Sequence, residues 1–204
     1  MIAIVNYGLG NIQAFANIYK RLNIPSQIVS APDDLKTADK IILPGVGAFD
    51  WAMSRLNESG LRGALEELVI GRSLPVLGIC VGMQILANRS DEGNLPGLGW
   101  IPGEVKKFSD CEFVRNIRLP HMGWNDVIPQ NEDRLFKDLQ SKARFYFLHS
   151  YYFIPQNQNS VLAVTDYGGP YASSVGSGNI YGVQFHPEKS HQWGIQLLKN
   201  FAEL

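Results

Sequence analysis

Residues 75–84 of the chain read Pro-Val-Leu-Gly-Ile-Cys-Val-Gly-Met-Gln, and this stretch decides the fold that the sequence predicts. The apolar run over residues 75–79 predicts a buried strand, and residues 83–87 favour a helix. Glycines stand two positions before and after Cys80, where any side chain would clash if the strand turned sharply into the helix. The stretch therefore predicts a tight turn that projects Cys80 above one edge of a sheet.

The first half of the chain alternates short apolar runs with amphipathic stretches, which is typical of parallel strands joined by helices. Besides 75–79, strands are predicted at residues 2–6, 27–30 and 40–43. Apolar residues at helical spacing predict helices over residues 12–22 and 61–72. This half therefore predicts a mainly parallel sheet with helices on both faces.

Beyond residue 88, glycine, proline and asparagine separate strand-like runs, which favours antiparallel pairing. These runs lie at residues 103–108, 113–119, 144–153, 161–167 and 179–185. Apolar spacing over residues 195–204 predicts a closing helix. The predicted fold is a three-layer α/β sandwich around a central mixed, mostly parallel sheet, in one domain over residues 1–204.

The composition is that of a globular protein able to bury a core, with 204 residues of which 45% are hydrophobic. Lysine and arginine number 18 against 19 acidic residues, so no basic surface favours nucleic acid. No apolar run approaches the ~18 residues of a membrane span, and no signal peptide precedes the first strand. We expect a cytoplasmic protein that binds neither membrane nor nucleic acid.

Cys80 is the candidate nucleophile, because the N-terminus of a helix favours a thiolate. The backbone N–H of Val81 would then face a developing oxyanion. The alternative is that Cys80 is a small hydrophobic residue at the end of a buried strand, and the turn alone does not decide between the two. The second cysteine, Cys111, has acidic neighbours that would raise the pKa of its thiol, and we expect it to be inert.

His186 and Glu188 are the candidate partners of this thiol. His186 follows an apolar strand directly, and Glu188 is placed to accept the second N–H of the imidazole. Alternatively, the His-Pro-Glu sequence simply ends a strand. The coincidence of two features at one sheet edge favours a Cys80–His186–Glu188 triad. His121, His149 and His191 compete weakly, since ordinary hydrogen-bonded or surface histidines are the default.

No metal or cofactor is predicted. The chain has no His-Glu-x-x-His or Cys-x-x-Cys spacing. Its glycine-rich runs match neither a dinucleotide fingerprint nor a phosphate-binding loop.

With these residues in place, the sequence resembles the class I (triad) glutamine amidotransferases, whose Gly-x-Cys-x-Gly-x-Gln motif matches residues 78–84 and whose His-Pro-Glu matches residues 186–188. More narrowly, it is similar to the subfamily of glutaminase subunits of imidazole glycerol phosphate synthases. The motifs that carry this likeness are Asn-Tyr-Gly-Leu-Gly-Asn at 6–11, Leu-Pro-Gly-Val-Gly-Ala-Phe at 43–49, Pro-His-Met-Gly-Trp-Asn at 120–125, His-Ser-Tyr-Tyr at 149–152 and Phe-His-Pro-Glu-Lys-Ser at 185–190.

The resemblance implies a flavodoxin-like three-layer fold and hydrolysis of L-glutamine through a thioester on Cys80. His186 would act as general base and acid, and Glu188 would orient it. The ammonia would pass, within a heterodimer, to a (β/α)₈-barrel cyclase subunit that serves histidine biosynthesis. No cofactor is implied.

The resemblance also implies roles for further residues. Val46 and Gly47 match the family's oxyanion strand, and Val81 would complete the oxyanion site. Expected glutamine contacts are Gln84, His149, Ser150 and Tyr151. Expected partner contacts are Asn11, Met122, Trp124 and Lys189. On the residues alone, helix surface, helix capping, an aromatic strand or an ordinary Pro-Gly turn would explain these positions equally well.

The chain departs from the family at Asn6, where aspartate is common, and at Val81, where leucine is more frequent. Neither change removes a catalytic atom. Three alternatives therefore stay open. They are a paralogous glutaminase subunit that supplies ammonia for surface-polysaccharide sugars, a stand-alone cysteine hydrolase, and a non-catalytic binding subunit.

Overall fold

The computed structural model describes residues 1–108, 117–130, 132–139 and 143–204. The strands in these ranges are β1 Ile2–Val5, β2 Ser26–Val29, β3 Lys40–Gly45, β4 Val76–Cys80, β5 Arg89–Ser90, β6 Gly103–Lys107, β7 His121–Asp126, β8 Ile128–Pro129, β9 Arg144–His149, β10 Tyr151–Pro155, β11 Val161–Asp166, β12 Pro170–Ser177 and β13 Ile180–Val183. The α-helices are α1 Ile12–Arg21, α2 Phe49–Glu58, α3 Leu61–Glu66, α4 Val81–Gln84 and α5 His191–Glu203.

The main sheet runs in the order β2-β1-β3-β4-β13-β12-β10-β6-β5, with β11 and β8 added beside β12. Its first five strands pair in parallel, and β12 and β10 join them in antiparallel sense. A separate antiparallel pair, β7 and β9, covers the region beyond the end of β13. The predicted mixed α/β sheet is therefore confirmed, with its parallel pairs in the first half of the order except for β5 and β6 at the far edge.

The helices cover both faces of the parallel strands. The crossover from β1 to β2 and the crossover from β3 to β4 proceed in opposite directions along the sheet. Because such crossovers are right-handed, α1 lies on one face and the α2–α3 pair lies on the other. Helix α5 packs beside α1. The central strands β1, β3 and β4 are buried along almost their whole length.

The sequence-based boundaries differ from the structure in several places. Helix α2 and strand β12 were not predicted, and the strand predicted over 144–153 is two strands that break at Ser150. The helix predicted at 61–72 begins as α3 and continues as a π-helical turn to Gly71. The strand predicted at 113–119 falls mostly outside the described residues, and its last three residues are not in a strand.

No helix in the part of the chain that the structure describes is long and apolar enough to cross a membrane.

Candidate active site

Cys80 ends β4 in a conformation that few residues adopt, with φ +56° and ψ −113°, and α4 begins at the next residue. The turn is possible because two backbones approach closely. A Cβ atom on Gly82 would lie 2.0 Å from the carbonyl oxygen of Leu43 in β3, and one on Gly78 would lie 2.5 Å from the carbonyl oxygen of Gly82. The predicted strand-to-helix turn is thus present, and backbone packing against β3 holds Cys80 in its unusual conformation.

His186 and Glu188 lie just beyond β13, the strand that pairs with β4. Nδ1 of His186 donates to Oε1 of Glu188 over 2.9 Å, and both side chains are almost fully buried. The backbone N–H of His186 donates to the carbonyl of Tyr146 over 2.9 Å, and Ser190 Oγ donates to the carbonyl of His186 over 2.6 Å. The bond to Glu188 orients the imidazole, and the two backbone bonds tie His186 to β9 and to Ser190, the residue before α5.

The electrostatics of His186 favour its charged form. Burial alone would lower the pKa of this imidazole, but its hydrogen bonds to Cys80 and Glu188 and the charges of these two groups outweigh burial and raise the pKa to about 10. The structure thus brings together the three residues that the sequence predicted as a triad. An imidazolium between a sulfur and a carboxylate is the arrangement that stabilises a thiolate.

A cavity of about 300 Å³ opens beside Cys80 and His186. Its lining residues are Val46, Gly47, Cys80, Val81, Gln84, Glu92, Pro120, Leu148, His149, Ser150, Tyr151, His186 and Lys189. The residues predicted for the oxyanion site and for glutamine contacts therefore all border the same space. Its volume is at the lower end of the range for small-molecule sites.

Gln84 has a more internal position than a helix-surface residue would have. Its side chain is buried, and its Nε2 donates to the carbonyl of Tyr151 and to Oε1 of Gln184, each over 3.1 Å. Gln184 in turn points Nε2 at Sγ of Cys80, 3.9 Å away. Gln84 and Gln184 thus link the helix after Cys80 to the strand before His186.

The predicted partner contacts occupy a different part of the surface, except for Lys189, which lines the cavity mouth and sits 5.6 Å from the ring centre of Tyr146. Asn11 is exposed at the start of α1, and its side chain makes no capping hydrogen bond. On β7, Met122 is 65% exposed and Trp124 is 39% exposed. Trp124 stacks on His191 at 5.1 Å between ring centres. These side chains are available to a partner.

Sequence reasoning missed two side chains of this site. Glu92 borders the cavity and accepts the backbone N–H of Phe49 over 2.9 Å, and burial raises the pKa of its carboxyl group. Nothing in its local sequence distinguishes Glu92 from other loop carboxylates. For Gln184 a signal existed, because residues two apart on a strand face the same side, and Gln184 is two positions before His186.

Within the described ranges, no group of three or more histidine, cysteine or acidic side chains is arranged to hold a metal ion. Cys80 is buried and is not in a disulfide. Cys111, expected to be inert, lies outside the described residues.

Comparison with known proteins agrees with this geometry. The family model of class-I glutamine amidotransferases matches residues 3–204. The chain is 61% identical to the imidazole glycerol phosphate synthase subunit HisH of Bdellovibrio bacteriovorus and 51% identical to that of Leptospira interrogans, over the full length of both chains in each case.

Solved structures show the same fold at low sequence identity. A glutamine amidotransferase structure superposes with a TM-score of 0.75 at 20% identity, covering 100% of this chain and 99% of the other. The structure of PurLQS from Thermotoga maritima gives a TM-score of 0.70 at 18% identity, covering 99% and 97%.

Proposed function

Because the chain belongs to the class-I glutamine amidotransferase family, we propose that it is the glutaminase subunit of an imidazole glycerol phosphate synthase. It hydrolyses L-glutamine to glutamate and ammonia. The observation that carries the proposal is that Cys80 and His186 border one cavity, while Nδ1 of His186 donates to the carboxylate of Glu188 over 2.9 Å.

The first step is attack of the Cys80 sulfur on the side-chain amide carbon of glutamine. A C–S bond forms, and the carbonyl electrons move to oxygen, giving a tetrahedral oxyanion. When the oxyanion collapses, the C–N bond breaks, and His186 gives its proton to the leaving nitrogen so that ammonia departs. The raised pKa of His186 suits this step, because the imidazolium is present at neutral pH.

The second step is hydrolysis of the γ-glutamyl thioester. The imidazole, now neutral, takes a proton from water as the oxygen attacks the thioester carbon, and the C–S bond then breaks to release glutamate and the thiolate. Glu188 accepts a hydrogen bond from Nδ1–H of His186 throughout and so keeps Nε2 turned toward the reacting atoms. Glu188 therefore orients the imidazole and stabilises its charged form.

The oxyanion is stabilised by backbone N–H groups. Val81 opens α4 directly after Cys80, and the first N–H groups of a helix have no partner within the helix. Val46 and Gly47 follow β3, the strand that pairs with β4, and border the same cavity. Gly47 adopts φ +92°, a conformation that glycine reaches without strain and that frees this peptide to reorient.

Recognition of glutamine requires partners for its two charged groups and its amide. Glu92 is the carboxylate that borders the cavity, and it suits the ammonium group of the substrate. Lys189 borders the same cavity and offers a cation for the carboxylate group. His149, Ser150 and Tyr151 form the facing wall and complete the pocket.

Ammonia released in this cavity is used by a second subunit. The relatives with 51–61% identity are named as subunits of imidazole glycerol phosphate synthase. We assign the partner as the (β/α)₈-barrel cyclase, in a heterodimer docked on the surface around Asn11, Met122, Trp124 and Lys189. The exposed Trp124 is of the residue type that anchors such interfaces.

The test is glutamate release by the purified chain alone, with the cyclase from the same genome, and with that cyclase plus its ribotide ligand. We expect the release to require partner and ligand, and to fall by at least about 10⁴-fold in Cys80→Ala. The cysteine side chain is small and at the edge of the core, so this variant should keep the thermal unfolding temperature of the parent.

Other outcomes would favour a different function or exclude the mechanism. Full activity without a partner would favour a stand-alone cysteine hydrolase. Silence with the histidine-pathway cyclase, but activity with a partner from a nucleotide-sugar pathway, would favour the paralogous glutaminase. Equal activity in Cys80→Ala would exclude the thioester mechanism.

A further inference from the structure

The hydroxyl group of Tyr171 lies between two buried histidines. It is 3.1 Å from Nδ1 of His121 and 3.2 Å from Nε2 of His149. All three side chains are buried. Tyr171 belongs to β12, whereas His121 and His149 face each other on β7 and β9. One hydroxyl group thus connects the main sheet to both strands of the separate pair.

The direction of each hydrogen bond follows from the atoms at one end. Nδ1 of His149 lies 2.8 Å from the carbonyl oxygen of Tyr151, which can only accept, so Nδ1 carries the proton. In the neutral imidazole Nε2 is then an acceptor, and the hydroxyl of Tyr171 must donate to it. Because the proton of this hydroxyl is directed at His149, its oxygen can only accept from His121, and Nδ1 of His121 donates to it.

Donors and acceptors at the His121 end of this hydrogen-bond chain are assigned in the same way. With its proton on Nδ1, His121 offers Nε2 as an acceptor, and Nδ2 of Asn125 lies 3.3 Å from it. Two further hydrogen bonds orient the amide of Asn125. Its Nδ2 donates to the carbonyl of Asp166, and its Oδ1 accepts from the backbone N–H of Asp126. The donors thus run in one direction, from Asn125 through His121, Tyr171 and His149 to the Tyr151 carbonyl.

This order holds only while both imidazoles are neutral. Burial lowers the pKa of His149 to about 3 and the pKa of His121 to about 4. Burial also raises the pKa of Tyr171 well above its ordinary value. All three groups are therefore uncharged near neutral pH, and every donor in the chain has its acceptor.

The hydrogen-bond chain ends at the carbonyl of Tyr151, in the wall of the glutamine cavity. The carbonyl of Tyr151 accepts from His149 and also from Gln84, so both of its lone pairs are used and the strand is tied from two sides. His149, Ser150 and Tyr151 all border the cavity. The position of this wall relative to Cys80 is therefore set by the hydrogen-bond chain together with Gln84.

We propose that Tyr171 is a positioning residue for glutamine binding, because its hydroxyl is the central link of a one-way hydrogen-bond chain that holds the cavity wall at residues 149–151. Tyr171 touches neither the cavity nor the reacting atoms; it acts through His149. The inference deepens the proposed function and rests on it for the identity of the substrate.

The tautomers of His121 and His149 test the hydrogen-bond chain without a variant and without an activity measurement. We expect ¹⁵N spectra of the imidazoles near pH 7 to show both His121 and His149 neutral with the proton on Nδ1, the tautomer that a free histidine populates less. A proton on Nε2 of either residue, or a charged imidazole at this pH, would overturn the one-way chain.

Tyr171→Phe tests the positioning role in the complex with the cyclase and its ligand. The variant keeps the ring and removes the hydroxyl, which leaves Nδ1–H of His121 without its acceptor and Nε2 of His149 without its donor. We expect the KM for glutamine to rise about tenfold while kcat changes less than about twofold. The imidazole of His121 should also change tautomer or lose its single ¹⁵N signature.

Tyr167→Phe is the matched control. Tyr167 stacks on His121 at 3.9 Å between ring centres, but its hydroxyl donates to the carbonyl of Arg118 over 2.6 Å and takes no part in the chain. We expect this variant to keep the parent KM and both tautomers. An equal rise of KM in both variants, or an unchanged KM in Tyr171→Phe, would overturn the positioning role.

These readouts separate the inference from the proposed function. If the wild-type complex releases no glutamate, the proposed function fails. The tautomers of His121 and His149 still decide whether the hydrogen-bond chain exists. If Tyr171→Phe does not fold, the spectra of the unmodified protein still decide whether the hydrogen-bond chain exists, and a proton on Nε2 of either histidine overturns the proposal.

Discussion

The two sides of the glutamine cavity are held in place by different forces. On the reactive side, Cys80 is fixed by backbone atoms, since β4 and α4 pack so closely on β3 that only glycine fits at positions 78 and 82. On the opposite side, the wall at residues 149–151 is fixed by polar side chains, through the chain that starts at Asn125 and through Gln84.

This difference suits what each side does. The nucleophile must keep one geometry through both steps of the reaction, and close backbone packing tolerates little movement. The wall binds a substrate that enters and leaves, and hydrogen bonds between side chains can rearrange at a smaller energetic cost. We therefore expect substitutions around the backbone-packed turn at Cys80 and substitutions in the hydrogen-bonded wall to have different effects.

The largest expected effect is on the chemistry, in Glu188→Gln. The amide still accepts a hydrogen bond from Nδ1 of His186, but the negative charge is lost. We expect kcat to fall by about 10³-fold. Because the carboxylate helps to raise the pKa of His186 to about 10, its loss lowers that pKa, and the alkaline decline of kcat should begin at lower pH. Steady-state kinetics of the complex from pH 6 to 10 measure both.

Glu92→Gln is the contrast to that variant. Glu92 borders the cavity but is bonded to the backbone of Phe49, not to His186. We expect its loss of charge to raise the KM for glutamine while leaving the alkaline decline in place. If Glu188→Gln keeps the kcat of the parent, Glu188 does not orient the base.

The next largest effect is on stability, in Gly82→Ala. The added Cβ would lie 2.0 Å from the carbonyl oxygen of Leu43, and neither backbone can retreat without moving a central strand. We expect the free energy of unfolding to fall by about 3 kcal/mol or more, measured by urea denaturation. Gly63→Ala in α3 has open space around the new methyl group and should be neutral or stabilising by up to about 1 kcal/mol. Equal stabilities would show that the turn at Cys80 is not tightly packed.

The reactive side could be predicted from the sequence because its determinants are local. Gly78, Cys80 and Gly82 lie within five residues, as a strand, a turn and a helix start. His186 and Glu188 are two residues apart at the end of the neighbouring strand. The fold class could be predicted for the same reason, because the hydrophobic periodicity of each strand and helix in a βαβ unit is visible within a short segment of sequence.

The resemblance named the wall residues 149–151, but the hydrogen bonds that hold the wall could not be predicted because their partners are distant in the chain. Tyr171 stands 50 residues from His121 and 22 from His149, and none of the three carries a pattern that marks a hydrogen-bond partner. Strand β12, which brings Tyr171 to this place, was itself missed. Glu92 is a further case, because a loop carboxylate is recognised as part of a pocket only when the fold has closed around it.

The smallest expected effect is the pH dependence of stability that the wall confers. His149 has its pKa lowered by burial to about 3, against an ordinary value of 6.5. As the pH falls below 6.5 the unfolded chain binds a proton that the folded chain does not, so the stability is full above pH 6.5 and declines toward pH 3. At pH 5 this amounts to about 2 kcal/mol. His149→Gln, which binds no proton, should make the decline shallower, whereas His191→Gln, at an exposed position, should leave it in place. Urea denaturation at pH 7, 6 and 5 measures the slope for each variant. An identical slope in His149→Gln and the parent would mean that the wall contains no buried neutral histidine at this position.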